Sequence, residues 1–69
     1  MVEVFKTNVG QERQAHLLLA ELSLLFPVTR INFDLEDCDK ILRIEADQVE
    51  AAAVVAWMQG KGFCCEVLE

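Results

Sequence analysis

Positive charge is scarce in this 69-residue chain: six Lys and Arg stand against twelve Asp and Glu, giving a net charge of −6 and a sequence pI near 4.6. Nucleic-acid binding draws on clustered Lys and Arg that displace counterions from phosphates, so no nucleic-acid partner is expected. An anionic membrane surface is disfavoured for the same reason. Long apolar runs are missing too. The leucine-rich stretch Leu17–Phe26 carries Glu21 and Ser23 and is about half of the roughly 20 residues a spanning helix needs, so no membrane insertion is expected.

Histidine occurs once, at His16, with no Ser or Cys at a recognisable spacing, and no glycine-rich loop is present to cradle phosphate. No catalytic residue and no cofactor are therefore expected. The three cysteines are an odd number, so at least one stays unpaired, and the first residues carry no apolar export segment. A reducing, cytoplasmic setting is the expectation. No linker, low-complexity tract or repeat divides the chain, so residues 1–69 read as one domain.

Apolar residues are plentiful. They make up 54% before glycine is counted, against about 45–50% with glycine in an average domain. A domain this small buries only about 60% of its unfolded surface. The surplus favours association with a protein partner or a second copy, most simply as a dimer.

Val2-Glu3-Val4-Phe5-Lys6-Thr7 suits a strand with one open face, and the sequence places Glu3 and Lys6 on that face. Gln11 to Phe26 predicts a helix whose core stripe is Ala15, Leu18, Leu22 and Leu25, stopped by Pro27. Thr29 to Glu45 reads as a hairpin. Ile31, Phe33 and Leu35 alternate with polar residues, Glu36-Asp37-Cys38-Asp39 forms the turn, and Leu42 and Ile44 return on the buried face. Asp47 and Glu50 predict a capping box for a second helix, with Ala51, Val54, Val55 and Met58 inward and Gly60 or Gly62 at its end. Phe63 to Leu68 predicts a last strand, with Cys65 and Val67 on one face and Cys64 and Glu66 on the other. The order β-α-β-β-α-β predicts an α+β, ferredoxin-like sandwich: an antiparallel sheet of order 4-1-3-2 with both helices on one face.

Phe5-Lys6-Thr7-Asn8-Val9 leading into the first helix, the hairpin Phe33-Asp34-Leu35 to Lys40-Ile41-Leu42-Arg43-Ile44-Glu45, and Gly62-Phe63 before the last strand resemble the heavy-metal-associated domain of copper chaperones and metal-pumping ATPases. That family binds metal through a Met-x-Cys-x-x-Cys motif after the first strand. On this chain the motif falls on Val9, Gln11 and Gln14. Soft Cu(I) and Zn(II) take thiolate or imidazole, and glutamine amides replace neither, so the resemblance implies the scaffold without its metal site.

The remaining ligand candidates are His16, Cys38, Cys64 and Cys65. The hairpin turn lies about 2.5 strand widths from the last strand, roughly 12 Å at about 4.8 Å per strand. Sulfurs sharing one metal lie within about 4 Å, so Cys38 joins neither Cys64 nor Cys65 easily. Cys64 and Cys65 are adjacent in a strand and point to opposite faces. An EF-hand register over Asp34, Glu36, Cys38 and Glu45 fails at its sixth position, which needs glycine and holds Asp39.

The sequence thus points first to a non-enzymatic interaction module, with Leu17, Leu24 and Trp57 as contact candidates beside the core stripe. The alternative is residual Cu or Zn binding through Cys38, Cys64 or Cys65. A small-molecule carrier using the open sheet face has no residue signature.

Overall fold

A computed structural model describes residues 1–26 and 30–68. Its elements are β1 (Val2–Thr7), α1 (Glu12–Leu25), β2 (Arg30–Asp34), β3 (Ile41–Glu45), α2 (Ala51–Gly60) and β4 (Cys65–Val67). The strands form one antiparallel sheet of order β2-β3-β1-β4, which counted from the other edge reads β4-β1-β3-β2. The architecture is α+β. Pro27 as helix stop and Thr29 as hairpin start lie outside the described residues.

Period-two alternation explains which side of the sheet is dry. Phe5 on β1, Leu42 and Ile44 on β3 and Cys65 on β4 share one buried cluster with Ala15, Leu18 and Leu22 of α1 and Val54 and Met58 of α2, so both helices cover the same face. Ile31 and Phe33 of β2 pack half-buried against it. The other face carries Val4, Lys6, Arg43, Asn32 and Glu66. Glu3 has the parity of Phe5 and Thr7, so it sits on the helix side at the strand end, and of the two charges expected outside only Lys6 is there.

α1 opens on Gln11 with no side-chain cap. Its stripe ends one turn earlier than the spacing predicts: Leu25 is 60% exposed. Phe26 takes that place. Its N–H caps the Leu22 carbonyl at 2.9 Å in extended backbone, and its side chain packs against the core.

α2 also departs from expectation at its start. Glu50, not Asp47, occupies the N-cap position, and neither makes a side-chain cap; the Glu50 carbonyl accepts from Ala53 and Val54, both at 3.1 Å. Ala46 is buried, its N–H prolongs the β1–β3 ladder to the Met1 carbonyl, and Val49 packs on the core. The chain is therefore held against the sheet until Glu50. The other end follows Schellman geometry, with Phe63 N–H donating to the Met58 carbonyl, Gly62 N–H to the Gln59 carbonyl, and Gly62 at φ +92°. Of the two glycines, Gly62 is the one whose left-handed backbone the turn requires.

β4 is three residues long, shorter than the expected Phe63–Leu68. Phe63 belongs to the α2 terminus, and the Cys64 N–H is taken by the Asn8 side chain at 2.8 Å.

Candidate functional site

The loop between β1 and α1, residues 8–11, sits at the sheet end beyond Thr7. Thr7, the buried polar residue of the described core, organises that end. Its hydroxyl donates to the Lys40 carbonyl and accepts from Val9 N–H at 3.2 Å, while its own N–H donates to the Asp39 carbonyl at 3.0 Å. Asn8 reaches the other way, to Cys64 N–H. The segments after β1, before β3 and before β4 thus meet at one end.

At the three positions on which the motif falls, no side chain is a thiolate or imidazole. Val9 is fully buried in the core, Gln11 is exposed at the helix start, and Gln14 is half-buried. All three cysteines are free. Cys65 is buried, and burial, aided by the Glu66 charge, pushes its thiol up from 9.0 to about 11. A protonated thiol is neither a ready ligand nor a nucleophile at neutral pH.

That shift has a consequence for stability. With the thiol titrating near 9 when unfolded and about 11 when folded, the unfolded state loses its proton first. Stability is then complete below pH 9 and falls as pH rises toward 11. Urea unfolding across that range is expected to show the decline, and Cys65→Ala to flatten it. A wild-type decline unchanged by Cys65→Ala would assign it elsewhere.

Cys38 is exposed in the hairpin loop. Its Sγ and the carboxylates of Asp37 and Asp39 lie within 4.8 Å of one another, the one such group among the described residues. His16, Cys64 and Cys65 are not part of it. The two carboxylates are already used by the loop: Asp37 Oδ1 accepts Asp39 N–H at 2.9 Å, and Asp39 lies 3.7 Å from Lys6 Nζ. The Asp37 carbonyl accepts Lys40 N–H, and Lys40, at φ +47°, ties its ammonium to the Leu35 carbonyl at 2.9 Å. His16 is exposed and lines a groove of about 520 Å³ between α1 and β2 with Glu12, Leu19, Phe33 and Leu35.

The apolar surplus surfaces on α1 and, through Met1, Val2, Val67 and Leu68, at the ends of β1 and β4. Leu17 is 63% exposed, Leu24 87% and Leu25 60%. Leu17 and Leu24 follow from helical spacing; Leu25 was hidden by its fit to the core stripe. Trp57 is half-buried against the core, with Lys61 Nζ 5.4 Å from its ring centre. Lys61 also pairs with Glu21 at 2.8 Å, linking the end of α2 to α1. No helix among the described residues is long and apolar enough to cross a membrane.

Compared with family models, curated proteins and solved structures, the chain matches none.

Proposed function

We propose that this chain is a non-enzymatic protein-interaction domain on a ferredoxin-like scaffold of the heavy-metal-associated type, one that has lost the metal site and docks through the outer flank of α1. The observation behind this reading is the exposure of Leu17, Leu24 and Leu25 on one helix of so small a domain. Exposed apolar side chains gathered on one element of a small domain favour an interaction surface there. The partner presents an apolar surface to these leucines, with Arg13 and the Lys61–Glu21 pair as a polar rim. Three free thiols fit a reducing, cytoplasmic setting.

The test is Leu17→Ser combined with Leu24→Ser. Burying a leucine is worth about 1.5–3 kcal/mol and each 1.4 kcal/mol is tenfold in affinity, so the purified double variant is expected to bind an identified partner at least tenfold more weakly. Its circular dichroism should match the wild type, since neither leucine is in the core. Partners held equally well by both proteins would remove the flank from the account.

A second reading, capture of Cu(I) or Zn(II) through Cys38, Cys64 or Cys65, has the Asp37–Cys38–Asp39 cluster in its favour. Native mass spectrometry of metal-loaded protein separates the two. Stoichiometric metal on the wild type, absent from the triple Cys→Ser variant, would transfer the function to metal handling.

A further inference from the structure

The sheet ends in two edges, β2 and β4, and among the described residues no strand pairs with the outer side of either. Exposed edges are commonly blunted by shortness, charged side chains, Pro or a bulge, because their free N–H and C=O groups template pairing with another chain. β4 is blunted by its three-residue length. β2 is five residues long, and its one such device is the pair of charges at its ends, Arg30 and Asp34. Arg30-Ile31-Asn32-Phe33-Asp34 contains no Pro and no Lys, and all five residues run in unbroken register with β3.

We propose that the β2 edge pairs antiparallel with β2 of a second copy about a two-fold axis at Asn32, joining two sheets into one of eight strands. The segment is its own complement in that register. Arg30 falls opposite Asp34 of the second copy, Asp34 opposite its Arg30, Ile31 opposite its Phe33, and Asn32 opposite itself. Both ion pairs lie on the open face, where Arg30, Asn32 and Asp34 are exposed; the Ile31–Phe33 contacts lie on the helix side, where both side chains are half-buried. Opposite charges and aromatic–β-branched neighbours are favourable cross-strand pairs. A two-residue slip either way breaks both ion pairs. The same operation on β4, centred at Glu66, sets Glu66 against Glu66 and is repulsive.

A five-residue strand pair belongs to the small, reversible interface class below about 1,200 Å². It also leaves the leucine flank free. The side of α1 bordering β2 carries Glu12, His16 and Leu19, whereas Leu17 and Leu24 stand four before and three after Glu21, which is tied to α2. The inference therefore stands apart from the docking role of that flank, and the dimer would present two flanks at once.

Sedimentation velocity up to about 1 mM tests it, a range that captures weak dimers. The wild type and Leu24→Ser are expected to dimerise alike. Arg30→Asp and Asp34→Arg are each expected to dimerise at least tenfold more weakly, because each makes both pairs like-charged. An equimolar mixture of the two is expected to restore the dimer, since both strand-end carboxylates of the first variant then face both guanidinium groups of the second. Isotope-filtered NOEs between Ile31 and Phe33 in mixed-label wild type give a readout that needs no variant. A monomeric wild type, single variants that dimerise like the wild type, a mixture that stays monomeric, or a dimer without those NOEs would overturn the proposal.

Discussion

Phe5→Ala is expected to remove about 4 kcal/mol of folding free energy, as truncating a buried phenylalanine typically does. Phe5 is fully buried on β1, a central strand, opposite Leu42 on β3 and Val67 on β4, within the cluster that both helices close over. At about 0.05–0.15 kcal/mol per residue a chain of this length has a total of roughly 3–10 kcal/mol. The lost ring therefore takes a large part of all the stability available. Urea unfolding followed by circular dichroism is expected to show a midpoint lowered by about 40% or more. Phe5→Leu, which keeps most of the volume, should cost about 1.5 kcal/mol or less. A Phe5→Ala midpoint close to that of the wild type would mean the core is not centred on β1.

The same residue shows what a sequence makes legible here. Phe5 between charged and β-branched neighbours announces a half-buried strand, and Ala15, Leu18 and Leu22 announce a helix, because each pattern has the period of its own backbone. Local spacing does not report tertiary capture. Asp47 and Glu50 have capping-box spacing, yet the burial of Ala46 and Val49 holds that stretch to the sheet and delays α2 to Ala51. Leu25 continues the core stripe by count, but Phe26 reaches the core from extended backbone after the helix ends. Cys64 fits a strand, yet its N–H is claimed by Asn8, 56 residues away in sequence. The candidate surfaces divide likewise. Leu17 and Leu24 can be picked out as flank residues from spacing alone, whereas the self-complementarity of Arg30 to Asp34 has meaning only once β2 stands at a sheet edge.

Thr7→Val is the sharper test of how the sheet end is assembled. Valine keeps the shape of threonine but removes a hydroxyl that serves two backbone groups, the Lys40 carbonyl and the Val9 N–H. Val9 is fully buried, so its amide has no water to turn to. Orphaning a buried polar group costs about 1–3 kcal/mol, so the substitution is expected to cost about 2 kcal/mol. Thr7→Ser keeps the hydroxyl and should recover most of that loss. The damage should also be local. Hydrogen exchange at Val9 is expected to accelerate by an order of magnitude or more, while Leu42 and Ile44 amides change only in step with global stability. The Asp39 and Lys40 amides should also lose protection, because Lys40 holds a left-handed backbone whose carbonyl the Thr7 hydroxyl anchors. Equal stability and unchanged Val9 protection in Thr7→Val would mean that the three loops meet at this end without the threonine holding them together.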